Sequence, residues 1–461
     1  MLRDCYAPIN LFELVPTLGM RTDRILMQLD TLLDDDTLFQ AVKADLARRF
    51  PRTLIDGRPS TPVEVILRML VVKHLYGWSY EQTEQWVSDS LVLRQFCRVY
   101  AQRVPDDTTL LRWANLIQPA TLHQLLDHVV DLARRRKVTR GRKLRVDSTV
   151  VATNIHFPVD STLLGDGVRV LTRAIQRAKQ VLQPAARQAR TIFRNRTRSV
   201  RQVMHRLIAT SRQRGEQAAE QLKADYQQLI QLTEQVIDQA TQVRQQLREH
   251  GTSHATRLAT TLEQFLPRVG QVIDQTRRRV LAGESVPATE KLVSIFEPET
   301  AIIRKGKLGH AVEFGRVVWL GEVEGGIVSQ YQVLSGNPFD AEQLVPSLEH
   351  HAEQFEHVPR LVAGDRKVWS RTVEQDAQHL GVRQVVLPQF GPRSQARRAY
   401  EAQRWFMRGR RWRTGIEGRI SVLKRRHKLD RCRYHGSDGM ERWVGWGVIA
   451  HNLRQIALAA A

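Results

Sequence analysis

Leu144-Arg145-Val146-Asp147-Ser148-Thr149-Val150-Val151 decides how this chain is read. Its β-branched residues predict a strand, and Asp147 interrupts the otherwise strand-like run. A carboxylate on a strand is costly to bury unless it is paired, protonated or bound to metal. Asp147 is therefore a stronger functional candidate than a surface acid. Asp160 and Asp166 follow in a turn-rich stretch where turn geometry accounts for them, so they rank second. The basic run ahead of the strand, Arg134 to Lys143, reads as a linker or a phosphate contact.

Downstream, beyond Pro287, the pattern is mixed α/β. Val312 to Val323 and Ile327 to Leu334 are strand-like and joined across Glu324-Gly325-Gly326, which reads as a hairpin. A helix capped by Asp340 leads toward Phe355. Val358 to Ala363 is a short strand ending at Gly364-Asp365, which puts a second isolated acid at a strand end. Ser370 caps a helix that Gly381 stops, and Val382 to Leu387 is a further strand. Between Arg410 and Lys424 the only acid is Glu417. At about 100° per residue, Arg413 and Lys424 share its helical face. A solvated helix with one Arg/Glu pair has the same pattern, but the two other isolated acids favour a site.

Residues 1 to 57 are weakly patterned. Thr61-Pro62-Val63-Glu64 reads as a capping box opening an apolar helix that Gly77 stops. Ser79 to Gln82 is a second box, and Pro105-Asp106-Asp107 leads into another helix. Short helices on tight turns suit helix-turn-helix DNA recognition and plain packing alike. From 168 to about 282 the chain is rich in Arg, Gln and Ala. Leu222, Tyr226, Leu229, Thr233, Val236, Ala240, Val243 and Leu247 form a coiled-coil seam. His250 to Ser253 breaks it, and Leu258, Leu262, Phe265, Val269 and Val272 resume it, with Pro267 expected to kink the second arm. An antiparallel helical hairpin is predicted. Its basic exterior suits a DNA backbone or solvent equally.

Of 461 residues, 42% are hydrophobic, ample for two or three domains, and 70 Lys and Arg against 48 Asp and Glu give +22. That field favours polyanions, nucleic acid or an anionic membrane. No apolar run reaches the roughly 18 residues of a membrane helix, and no leader precedes Leu11, so a soluble, unsecreted chain is expected. Cys5, Cys97 and Cys432 lie too far apart for a zinc or disulfide pattern and read as reduced thiols. Gly306 to Gly309 is too short for a nucleotide-binding loop. His350-His351 reads as surface histidine, and Trp443, Trp446 and Leu453 as a core stripe.

The order β, insert, β, β, α, β, α, β, α is the ribonuclease H-like one, and here the chain resembles a DDE transposase of bacterial insertion sequences, of the ISNCY-like group. Val146 to His156, Gly364-Asp365 and Gly415 to Lys424 carry the resemblance, which runs from Thr61 to Ile456. It implies an α/β ribonuclease H-like catalytic domain with a mixed sheet (143–167 and 288–461), an all-α, helix-turn-helix-like DNA-binding domain (1–135) and a helical, coiled-coil-like insertion (168–287). Related families carry a Tyr-Arg-Glu-Lys signature. Arg413, Glu417 and Lys424 match it, while Arg410 stands in the tyrosine slot, so a tyrosine contact to the DNA end is not expected.

The resemblance implies metal-dependent cleavage at the element ends and strand transfer into target DNA, with Asp147, Asp365 and Glu417 as catalytic acids and metal ligands. Two Mg²⁺ or Mn²⁺ ions, roughly 4 Å apart, would share Asp147, with Asp365 and Glu417 completing one site each. Arg413 and Lys424 would hold the flanking phosphates. The implied partners are terminal inverted repeats, target DNA and a second copy in a homodimer, with no membrane and no nucleotide cofactor, in the bacterial cytoplasm or on the nucleoid. A ribonuclease H-like nuclease or resolvase without strand transfer, or a domesticated non-catalytic DNA-binding protein, are the other readings. With +22, non-specific duplex binding is expected to fall roughly 10³-fold or more between low and physiological salt if six or more phosphates are contacted. Fluorescence anisotropy across a salt series checks it, and a flat response would overturn it.

Overall fold

The computed structural model describes residues 1–11, 23–50, 52–183, 190–304 and 312–460. The chain forms two compact units, Met1–Asn154 with Arg316–Ala461, and Ile155–Gly315. The short Gly306 to Gly309 stretch lies outside the described residues.

The first unit opens with helices α1 (Arg24–Leu33), α2 (Asp36–Ala47), α3 (Val63–Tyr76), α4 (Tyr80–Asp89), α5 (Leu91–Phe96), α6 (Asp107–Ala114) and α7 (Pro119–Arg135). Buried on nearly every side, α3 is the scaffold that its apolar sequence predicts. Its expected capping box does not form. Pro62 is the N-cap without a side-chain bond, and Glu64 instead accepts from Arg68 at 3.1 Å. Arg68 is fully buried and also binds Asp30 and Asp34, so its charge outcompetes the cap for Glu64. The box at Ser79 and Gln82 is complete, with both bonds at 3.0 Å. Strand β1 (Lys143–Ala152) follows and carries Asp147.

The second unit contains α8 (Asp160–Leu182), α9 (Thr197–Thr210), α10 (Glu216–His250) and α11 (Ser253–Thr276), and then β2 (Ala301–Arg304). The seams of α10 and α11 do meet, but α8 packs on both and α9 packs on α8 and α10, so a helical bundle replaces the expected two-helix hairpin. The reason is a second apolar stripe on α8, including Leu164, Val168, Leu171 and Ile175, which needs partners and joins one core with Leu229, Leu262 and Val269. Asp160 and Asp166 are likewise helical rather than loop residues. Asp160 is buried, accepting from Gln275 at 3.2 Å and pairing with Arg279 at 2.6 Å.

The chain continues with β3 (Val312–Val323), β4 (Val328–Val333), α12 (Leu344–Phe355), β5 (Leu361–Ala363), α13 (Arg371–His379), β6 (Gln384–Val386), α14 (Gln395–Ala402), α15 (Arg404–Arg413), α16 (Gly415–Arg426) and α17 (Gly436–Ala460). The first residues of β3 pair with β2 inside the second unit. Beyond them β3 pairs antiparallel with β4, and the strands run β4-β3-β1-β5-β6, with β1, β5 and β6 parallel. A register shift in the β3–β4 ladder falls between Gly321 and Glu322. The last helix, α17, is buried over most of its length, and Asn452 bonds both the N–H and the carbonyl of Val328, at 2.9 and 2.7 Å. His351 is buried rather than at the surface, its Nε2 lying 2.8 Å from the Gly141 carbonyl, and burial pushes it down to about 4.

Helices α8 and α11 approach closely at Gly167, where a Cβ would lie 2.8 Å from Val269. Gly167→Ala is therefore expected to lower stability by about 1–3 kcal/mol through overpacking, despite alanine's helix propensity. Adding Val269→Ala should recover part of that loss in urea unfolding. Additive losses in the double variant would contradict the contact.

Candidate active site

The site grows from one face of β1. Residues two apart on a strand point the same way, so Arg145 and Asp147 project together. Arg145 forms two bonds to Glu322 on β3, at 2.9 and 2.6 Å, and donates through Nη1 to the Trp412 carbonyl at 2.5 Å. Arg419 on α16 binds the same Glu322 at 3.1 Å. Glu322 is fully buried, so its two arginines supply the charge that makes that burial tolerable. Gly415 completes the fit, because a Cβ there would overlap the Arg145 guanidinium.

Above this support lie the three predicted acids. Arg413 Nη2 is 2.8 Å from Asp147 and 4.0 Å from Asp365, and its Nη1 is 2.9 Å from Glu417. Helices α15 and α16 break at Thr414, whose φ of −57° and ψ of −24° stay right-handed, so the four-residue step from Arg413 to Glu417 survives the break. Asp365 lies two residues past the end of β5 and accepts from the N–H of Arg366 at 2.6 Å. The three carboxylates differ in exposure: the Asp147 side chain is 15% accessible, Asp365 43% and Glu417 64%. Lys424 is half-buried two turns beyond Glu417 on α16.

Burial lifts Asp147 to about 6, Arg413 opposing the shift while Asp365 and Asp340 add to it. Asp340 is the acid that sequence reasoning misread. It does not cap α12 but accepts from the Ser148 hydroxyl at 3.1 Å, and burial raises it too, with Asp365 contributing. The missed supports, Arg145, Glu322 and Arg419, left a faint signal: Glu322 is the one acid in the apolar run from Val317 to Val323. Arg410 is exposed.

Residues 18–116 match the family model described as a transposase domain (DUF772), and residues 372–457 match that of a transposase DDE domain. The chain is a DDE transposase of the insertion-sequence type. The second match covers Arg413, Glu417 and Lys424, whereas Asp147 and Asp365 lie outside both. Among curated proteins and among solved structures nothing matches. Transposases of this kind bind DNA and generally use divalent ions. The donor set suits such ions in kind, since hard carboxylate oxygens gather around a positive group. Among the described residues no three acids, histidines or cysteines stand close enough to hold an ion directly, because the carboxylates meet through Arg413. No helix of the described residues is long and apolar enough to cross a membrane.

Because the folded transposase binds the Asp147 proton more tightly than the unfolded chain, its stability falls as pH rises from the ordinary value of 3.8 to about 6 and stays lowered above that. Asp147→Asn removes this slope. In EDTA the variant is expected to melt above the parent at pH 7.5, with the difference vanishing toward pH 4. A variant that melts lower at pH 7.5 would show that the Arg413 pair outweighs burial.

Proposed function

We propose that this transposase cuts DNA at the ends of its element and joins the freed ends to target DNA, with Asp147, Asp365 and Glu417 as catalytic carboxylates. The observation that carries the reading is that acids on β1, after β5 and on α16 all reach one guanidinium, that of Arg413. The strand order and directions support a ribonuclease H-like catalytic domain made of residues 143–167 and 288–461. Residues 1–135 would then be the DNA-binding domain and 168–287 an insertion. The three sequence blocks around Asp147, Asp365 and Glu417 support the ISNCY-like group.

Two Mg²⁺ or Mn²⁺ ions, held by Asp147 with Asp365 and with Glu417, would supply activation of the attacking hydroxyl and charge stabilisation at the leaving oxygen. The rest is the work of the chain's own residues. Arg413 orients Asp147 through Nη2, and its buried Nε has no hydrogen-bond partner among the described residues, so the three acids do not saturate the guanidinium. A planar guanidinium fork suits a phosphate beside the scissile bond. Lys424 adds a point charge on the same helix. Both cations offset the repulsion between DNA and the carboxylates. Pairing two element ends calls for two copies, hence a homodimer on DNA.

The test is joining of labelled element ends, taken from inverted repeats flanking the gene, into a plasmid in Mg²⁺. Asp147→Asn, Asp365→Asn and Glu417→Gln are each expected to lower cleavage and joining by about 10³-fold or more. End binding in Ca²⁺ should persist, and Arg413→Ala should weaken it. Cleavage without joining would favour a nuclease or resolvase. Tight binding with no Mg²⁺-dependent cleavage would favour a non-catalytic binding protein, and normal cleavage by Glu417→Gln would dismiss this triad.

A further inference from the structure

Away from the three acids, the first unit contains a cavity of about 570 Å³ to which Lys73, Lys428, Arg433 and Arg442 contribute, with no carboxylate among its lining residues. Lys73 lies near the end of α3 and is 2% exposed. Its Nζ stands 4.5 Å from the ring centre of Tyr80, 5.2 Å from Tyr434 and 5.4 Å from Trp443, and has no ion-pair partner among the described residues. Aromatic faces compensate a buried ammonium only in part. Burial, and then Arg433, push Lys73 down to about 7, so its charged form is disfavoured and an anion beside it would stabilise it.

The cavity wall is aromatic as well as basic. Trp78 lines it and is the middle ring of a stack, 4.6 Å from Tyr76 and 5.9 Å from Trp86, with interplanar angles of 19° and 22°. Tyr76 and Trp86, 39% and 49% exposed, stack on Trp78 and lie outside the lining, so Trp78 meets the cavity with its edge. The rings that do line the cavity, Trp78, Tyr80, Tyr434 and Trp443, stand beside its cations and match the two parts of a nucleotide, a flat base and an anionic phosphate. A paired base keeps its faces inside the helix, so only an unpaired one can use such a wall. The cavity also draws on both segments that match transposase families: Lys73 and Trp78 lie in the first, Arg433 and Arg442 in the second.

We propose that this cavity receives one unpaired nucleotide of a DNA strand, its phosphate at Lys73 and Arg433 and its base against the aromatic wall that includes Trp78. The proposal rests on the transposase reading and adds to it a second DNA site, separate from the acids.

The experiment uses the full chain in EDTA and compares, by fluorescence anisotropy, a fully paired duplex, the same duplex carrying one extrahelical thymidine, and one carrying an extrahelical abasic residue. Wild type is expected to prefer the thymidine duplex by about tenfold or more, the scale of one base stacked on aromatic rings, and to lose most of that preference with the abasic residue. Lys73→Met and Trp78→Ala should each remove most of the preference while affinity for the paired duplex changes little. Arg433→Gln, at an exposed position, should reduce it too, and keeps the test valid if Lys73→Met fails to fold. Equal binding of all three duplexes by wild type, or a preference that survives every substitution, overturns the site and leaves the transposase reading standing. A preference retained with the abasic residue also overturns it, because the base would then have no part. Failure to bind any duplex would count against both.

Discussion

The buried carboxylate of Glu322 is the constraint on which the candidate active face depends. A lone ionised acid inside a sheet would be prohibitive, but here it accepts from Arg145 on β1 and Arg419 on α16, so strand and helix are clamped to β3 through one charge. Removing one partner of such a group typically costs several kcal/mol, because the others are left unpaired. The clamp borders every predicted acid it supports: Arg145 is two residues from Asp147, and Arg419 two from Glu417. Its third branch, to the Trp412 carbonyl, holds the residue next to Arg413.

On that support the site balances charge rather than minimising it. Arg413 faces three carboxylates at once, and Asp340 adds negative potential from behind Ser148. Burial is the main reason Asp147 remains reluctant to ionise despite a contact of 2.8 Å to Arg413, and the neighbouring Asp365 and Asp340 add to it. The surplus negative charge is what a hard cation would relieve. The chain's overall +22 works at longer range, drawing the polyanion toward a pocket that is itself acidic.

Much of this was legible in the sequence because it is local. The acid in a β-branched run, the acid after Gly364, and the solitary Glu417 four residues from Arg413 each stand out within a short window, and the Gly325-Gly326 turn announces its hairpin. What escaped is made by distant partners. Asp340 meets Ser148 across 192 positions, and His351 meets Gly141 across 210, so neither could be told from a cap or a surface histidine. The seam of α10 and α11 specified one pairing, but heptad spacing does not say how many helices share a core, and α8 entered it. Asp160 read as a turn residue because its partners, Gln275 and Arg279, lie at the far end of the unit's helices.

The placement of the helical unit between β1 and β3 also shapes how the molecule can assemble. Sheet neighbours β1 and β3 are separated by roughly 160 residues, and closing so long a loop carries an entropic cost that grows with the logarithm of its length. Such pairings have high contact order and form slowly. A segment with its own hydrophobic core can collapse first as it leaves the ribosome, converting most of that loop into a compact body. Until β3 arrives, β1 waits with its hydrogen-bonding edges unpaired and Arg145 without Glu322. The strand that carries Asp147 is thus exposed to misassociation for a long interval of synthesis.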